Sequence, residues 1–194
     1  MVITHYKCIN INNLSVGKKK TIENISFYTI EYNKKDIYLQ LPYLRMIYPI
    51  CKKMNKNIYF ADLYLSNKDN RHDILLNQIM KIEEKIYSNF EKIDNYNEYQ
   101  AYSCILNNDN YTNYNKYIRF NLPKYDNEIN VEVYTENINK EHVKTNISYL
   151  KPNILVKPII KCSGVWFDHI NKRYGLSWNI HQIKKKSISY PRIP

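Results

Sequence analysis

The chain has 194 residues, of which 44% are hydrophobic and 24% are charged. These values are typical of one globular domain with a core that needs no disulfides, and they exclude a disordered tail, a collagen-like rod and a coiled coil. The formal net charge is +11, Tyr occurs 20 times and Gly only 3 times. Lys and Tyr have A/T-rich codons, so nucleotide bias accounts for part of this enrichment.

Charge is distributed along the chain in a way that codon bias does not predict. Residues 1–60 carry a net charge of +7, residues 61–150 carry −4 and residues 151–194 carry +8. We expect the two basic ends to converge in the fold, with the acidic middle elsewhere. Such a surface attracts phosphates and releases counterions on binding, so the charge pattern favours a nucleic-acid partner.

Several kinds of chemistry find no support in the sequence. The cysteines, at positions 8, 51, 104 and 162, form no Cys-x-x-Cys pair, which argues against zinc and a disulfide framework and favours a reducing, intracellular compartment. Three glycines cannot build a glycine-rich phosphate loop, and no apolar run approaches the roughly 18 residues that span a bilayer. We therefore predict no enzymatic activity, no cofactor, no metal and no membrane partner.

The first half of the chain predicts three strands followed by one helix. Residues 21–32, 36–48 and 57–65 are rich in alternating β-branched and aromatic residues, which is typical of strands. An apolar stripe with a period of 3.6 residues predicts a core-facing helix over about 71–91. The stripe consists of Leu75, Ile79, Ile82, Ile86 and Phe90.

Residues 91–117 are rich in Tyr and Asn and predict a long loop. The strands that follow are predicted at 116–122, 128–134, 154–167 and 174–183. This order predicts a mainly β (α+β) fold: an OB-fold-like Greek-key barrel with one inserted helix. We expect a single domain over 1–186 and a mobile basic tail over 187–194.

Alternation along the last two strands separates an inner from an outer face. It places Trp166 and Trp178 in the core, and it places Lys157, Lys161 and Phe167 on the outer face. Lysines that neutralise phosphates, interleaved with aromatic rings that stack on bases, are what single-stranded nucleic acid requires. The predicted nucleic-acid-binding residues are Tyr43, Arg45, Tyr48, Lys52, Lys53, Lys157, Lys161, Phe167, Lys184, Lys185 and Lys186.

The closing hairpin carries a family resemblance. Gly-Val-Trp-Phe at 164–167, followed by Tyr-Gly-Leu-Ser-Trp at 174–178, resembles the end of the T7-type single-stranded DNA-binding proteins, and more closely their relatives in nucleo-cytoplasmic large DNA viruses. Upstream, residues 37–45 are similar to the family's Gln-Thr-Pro strand, with Leu41 where Thr is usual. The phage proteins end in an acidic tail with a terminal aromatic residue, whereas this chain ends in a basic segment.

The resemblance implies an OB-fold that binds single-stranded DNA without sequence preference during viral DNA replication, recombination or repair. It implies an intracellular location, in the host cytoplasm or the virion. RNA is the alternative nucleic acid, and replication proteins and a second copy of the chain are further candidate partners. Two other functions stay open: a virion or capsid-associated structural protein with a β-barrel fold, and a small enzyme that uses Cys162 or another thiol as a nucleophile.

Overall fold

A computed structural model of the chain describes residues 2–52, 58–90, 96–107, 116–126, 128–136 and 141–186. Within these ranges there is one α-helix, α1, at Asn70–Tyr87. The strands in chain order are β1 Ile3–His5, β2 Leu14–Ile22, β3 Ile25–Tyr32, β4 Lys35–Gln40, β5 Leu44–Met46, β6 Cys51–Lys52, β7 Tyr59–Leu65, β8 Gln100–Tyr102, β9 Ile105–Asn107, β10 Lys116–Leu122, β11 Lys124–Tyr125, β12 Glu128–Ile129, β13 Glu132–Glu136, β14 His142–Thr145, β15 Ile154–Asp168 and β16 Arg173–Lys185.

Five strands close into a barrel in the order β15, β5, β7, β10, β16 and back to β15. The long hairpin of β15 and β16 organises the fold. Strands β3, β4 and β5 pair in succession with the edge of β15 that does not pair with β16. Strands β13 and β14 extend the sheet from β16. This architecture confirms the predicted OB-fold-like barrel.

The helix α1 lies between β7 and β10 in the chain, as predicted, and covers the barrel with its apolar stripe. Asp69 caps its first turn by accepting a hydrogen bond from the Arg71 amide. All five predicted stripe residues are buried, although the helix ends at Tyr87 and Phe90 follows in the next turn. Residues 91–95 and 108–115 of the predicted loop lie outside the described residues, but 96–107 contain β8 and β9, so this part of the loop prediction is wrong.

A β-bulge in the closing hairpin inverts its alternation. Cys162 pairs with Trp178, whereas Gly164 pairs with Ser177, so β15 has one extra residue there. Phe167 is consequently buried, with 5% of its surface exposed, and Trp166 is partly exposed on the outside. The predicted positions of Trp166 and Phe167 are therefore wrong, whereas the buried Trp178 is confirmed.

Gly164 is required at this bulge. Its φ is +141°, and a Cβ there would lie 2.2 Å from the Tyr28 carbonyl oxygen and 2.7 Å from a ring carbon of Phe27. Only glycine tolerates that conformation and that close approach of β3. Strand β3 can therefore approach the bulge closely because Gly164 has no side chain.

The basic ends of the chain converge only in part. Lys20 pairs with Phe27, which pairs with Trp166 near the turn of the closing hairpin, whereas Lys184 pairs with Lys157 at the open end. Lys157 and Trp166 are nine positions apart on β15, which corresponds to about 30 Å at the usual rise of a strand. The prediction of convergence is therefore wrong for Lys20, whereas the part of the first basic segment around Tyr43 does meet Lys186, whose Nζ lies 5.7 Å from the Tyr43 ring centroid. Composition says nothing about which part of β15 each strand joins. Residues 187–194 and Lys53 lie outside the described residues.

Candidate nucleic-acid interface

An aromatic row crosses the outside of the sheet near the turn of the closing hairpin. Lys20, Phe27, Trp166, Gly175 and Tyr102 are successive cross-strand partners on β2, β3, β15, β16 and β8. Such partners project from the same face, and all of the side chains in the row are partly or fully exposed. The Trp166 and Tyr102 ring centroids are 6.1 Å apart.

Gly175 makes room for the Trp166 ring. A Cβ at this position would lie 3.1 Å from Cζ2 of Trp166 and 2.6 Å from the Tyr102 carbonyl oxygen. The indole therefore lies against the backbone of β16 and is held there by its neighbours. A ring fixed in this way can receive a base with little loss of its own conformational freedom.

A second row crosses the same face toward the open end of the hairpin. Tyr38, Lys161, Asn179, Asn121 and Phe60 are successive partners on β4, β15, β16, β10 and β7. All five side chains are partly exposed. This row combines two aromatic rings, one cation and two amides, which together offer stacking, charge and hydrogen bonding. We call the outward side of the sheet that carries these two rows, and that continues along β15 to Lys157, the outer face.

Lys161 is held in place by two neighbours. Its Nζ lies 2.6 Å from Oδ2 of Asp36 and 5.5 Å from the Tyr38 ring centroid. Partial burial lowers the pKa of Lys161, but the hydrogen bond with Asp36 and the negative charge of that carboxylate act in the opposite direction and leave the pKa raised. The side chain is therefore a cation at neutral pH, and it fits its predicted position on the outer face.

Arg119 forms a layered cluster beside the second row. Its Nε and Nη2 each donate a hydrogen bond of 2.8 Å to the carboxylate of Asp62. Its guanidinium carbon lies 4.1 Å from the Phe60 ring centroid and 5.8 Å from that of Tyr117. The hydrogen bonds to Asp62 raise the pKa of Arg119. Tyr117 in turn stacks on Tyr64 with 5.1 Å between centroids.

The predicted basic residues at the open end of the hairpin form a separate group. Lys157 and Lys184 are cross-strand partners, and both are partly exposed. Lys184 donates to Oε1 of Glu136 at 3.0 Å, which offsets part of its charge. Lys185 pairs with Val156 on the neighbouring strand.

The predicted cluster around residues 43–53 meets this group at one edge. Arg45 pairs with Tyr64 and donates to the carbonyl of Asn153 at 3.1 Å. Lys186 places its Nζ 5.7 Å from the Tyr43 ring centroid, which joins the open end of the hairpin to this cluster. The remaining members lie nearby on the chain: Tyr48 has 43% of its surface exposed, and the Lys52 ammonium lies 5.9 Å from the Tyr59 ring centroid.

Phe167, by contrast, is enclosed and cannot stack on a base in this fold. Its ring lies 5.3 Å from Tyr174 and 5.1 Å from Phe90, measured between centroids. The residues that sequence reasoning missed are Tyr38, Phe60, Tyr102, Arg119 and Trp166, of which Trp166 was predicted for the core. Arg119 alternates with the buried Ile118 and Phe120, a signal from which its outward position could have been predicted.

Other chemistry finds no support among the described residues. They contain no group of three or more His, Cys, Asp and Glu side chains that could hold a metal ion. Burial raises the pKa of Cys162 to about 12, so its thiol is protonated and poorly suited to nucleophilic attack. No helix in this part of the chain is long and apolar enough to cross a membrane.

The barrel resembles the fold of a phage protein. The chain matches the single-stranded DNA-binding protein gp2.5 encoded by bacteriophage T7 with a TM-score of 0.50 and 12% identity, over 93% of this chain and 94% of that one. It also matches a C-terminally truncated single-stranded DNA-binding protein from bacteriophage Enc34, with a TM-score of 0.46 and 13% identity, over 91% and 97% of the two chains. No family model and no curated protein sequence matches the chain. The likeness to the T7 protein establishes a shared fold.

Proposed function

We propose that this protein binds single-stranded DNA, without sequence preference, on the outer face of its barrel. The observation that carries the proposal is the pair of rows that places partly exposed aromatic rings on one face of the sheet together with two lysines and two amides. The T7 protein that shares the fold is a single-stranded DNA-binding protein, which supports the same role here.

The outer face has the chemistry that an unpaired strand requires. Aromatic rings such as Trp166 and Tyr38 stack on bases of any identity, and each stacked base contributes about 1–3 kcal/mol. Lys20, Lys157 and Lys161 neutralise phosphates and release counterions. Duplex DNA buries its bases in the helix, so the aromatic rows should bind single-stranded DNA more tightly than duplex DNA.

The proposal extends to the biological setting that the sequence resemblance implies. In it, one non-catalytic domain over 1–186 acts in viral DNA replication, recombination or repair, in the host cytoplasm or the virion. Single-stranded DNA is the principal partner. RNA, replication proteins and a second copy of the chain are the other partners to be tested.

A fluorescence-anisotropy titration with a labelled oligo-dT tests the central claim. The logarithm of affinity is expected to fall linearly with the logarithm of salt concentration, by about 0.7 for each neutralised phosphate. Unlabelled duplex and RNA of equal length serve as competitors, and duplex is expected to compete poorly. Affinity that does not change between 50 and 300 mM salt, or stronger competition by duplex, would contradict the proposal. Abundant protein in purified particles without DNA affinity would favour the structural alternative.

A further inference from the structure

Arg119 is paired with a carboxylate, as Lys161 is with Asp36, but Arg119 also carries a planar group. Two of its N–H groups donate to Asp62, at 2.8 Å each, in the fork geometry that pairs a guanidinium with a carboxylate. The Asp62 side chain is 12% exposed and the Arg119 side chain is 34% exposed. Because the two formal charges cancel, the pair is electrically neutral as a unit. Of the two side chains, only that of Arg119 has a substantial surface open to a ligand.

The guanidinium also lies over an aromatic ring. Its carbon lies 4.1 Å from the Phe60 centroid, the distance expected of a cation stacked on a ring face. Phe60 is itself part of the second row, as the cross-strand partner of Asn121. The planar group therefore extends the aromatic surface of the outer face by one layer, beside Tyr117.

We infer that Arg119, layered on Phe60 and fixed by Asp62, is a stacking platform for a nucleic-acid base and not a phosphate contact. This inference rests on the proposed function. Arginine planes stack on unpaired bases in the same way as aromatic rings. The Asp62 carboxylate offsets the attraction of Arg119 for phosphate, so the contribution of Arg119 comes from its plane and not from its charge.

The test compares two oligomers that have the same phosphates and differ in their bases. One is oligo-dT, and the other is an abasic deoxyribose-phosphate chain of equal length. The readout is the ratio of the two affinities, measured by competition at one salt concentration. An unfolded fraction of protein lowers both affinities equally, so this ratio reports on the folded molecules even where a variant is less stable.

Arg119→Lys keeps the charge and removes the plane, and Arg119→Gln removes the charge and keeps a small planar amide. We expect R119K to lower the ratio by about 5- to 50-fold, within the range of one base stack, and R119Q to lower it less. Lys157→Gln is the matched control for a phosphate contact, because Lys157 also projects from the outer face. We expect K157Q to weaken both oligomers and to leave the ratio unchanged.

The outcomes distinguish failure of the Arg119 stacking platform from failure of the proposed function. A ratio that is unchanged in both Arg119 variants, in a protein whose wild type binds oligo-dT, overturns the stacking platform and leaves the proposed function standing. An R119Q protein that loses affinity for both oligomers equally, with its ratio at the wild-type value, also overturns it, because Arg119 would then act on phosphate through its charge. Wild-type protein that does not bind oligo-dT refutes the proposed function itself.

Discussion

Replacing Trp166 with Ala tests whether the aromatic row holds DNA. Trp166 occupies the centre of that row, between Phe27 on β3 and Gly175 on β16, and its ring is 6.1 Å from that of Tyr102. Its ring is partly exposed, unlike that of its neighbour Phe167. The substitution therefore removes ligand contacts and little of the core.

The expected size of the effect follows from one lost base stack. Stacking contributes about 1–3 kcal/mol per base, which corresponds to an affinity for oligo-dT that is roughly 5- to 150-fold lower. The salt dependence should stay the same, since no charge is removed. Trp166→Phe keeps an aromatic face and should bind within a few-fold of wild type.

Intrinsic fluorescence provides an independent assay. The chain has two tryptophans, and Trp178 has only 1% of its surface exposed. Any quenching of tryptophan emission by oligo-dT should therefore come from Trp166. W166F should lose this quenching while anisotropy still reports binding, a combination that a change in folding alone does not produce.

The reasoning is refuted if W166A binds oligo-dT as tightly as wild type and wild-type emission does not respond to DNA. The rows would then be a packing surface for other protein segments, and the DNA contact would have to lie elsewhere. A W166A protein that melts far below wild type would instead show that the ring supports the fold.

Two further substitutions address the core beneath the outer face. Phe167→Ala removes a ring packed against Phe90 and Tyr174, so urea denaturation should show a loss of about 3–5 kcal/mol with little change in oligo-dT affinity; unchanged stability would contradict the packing. Burial raises the pKa of Glu83, which accepts a hydrogen bond of 3.0 Å from Ser103 Oγ. The folded state therefore binds the proton more tightly than the unfolded state, and the free energy of unfolding should fall as pH rises from about 4.5 through the raised pKa. Glu83→Gln should abolish this fall, and an unaltered pH profile would show that another group causes it.

Local patterns in the sequence were sufficient for the helix and for the five strands of the barrel, whereas β8, β9 and β14 were not predicted. The stripe from Leu75 to Phe90 is buried throughout because a 3.6-residue period allows only one face to pack. Alternation along β15 was reliable as far as Cys162, and it placed Lys157 and Lys161 on the outer face. These features depend on residues close together in one helix or strand, so the sequence alone can predict them.

The positions of Trp166 and Phe167 depended on one extra residue, at the bulge. An isolated glycine within a strand pattern is a known indication of a bulge, so Gly164 was a usable signal. Counting the alternation afresh beyond Gly164 would have placed Trp166 outside and Phe167 inside.

The composition of the outer face could not be predicted, because it depends on pairing between distant strands. Arg119 meets Asp62 through the register of β10 against β7, and Tyr102 reaches Trp166 through β8 and β16. The charge pattern also gave no information on register. It indicated that lysines were important, but it could not show that Lys20 and Lys184 belong to opposite ends of one hairpin.

The use of glycine links this fold to its proposed function. Of the three glycines in the chain, Gly164 and Gly175 both lie against rings of the aromatic row. A Cβ at Gly164 would collide with Phe27, and one at Gly175 would crowd Trp166. Barrel closure alone does not require rings on the outside, whereas a surface that stacks bases requires them flat and fixed. The same two positions therefore allow the bulge and the close strand approach, and they leave the space in which the rings of the proposed binding surface lie.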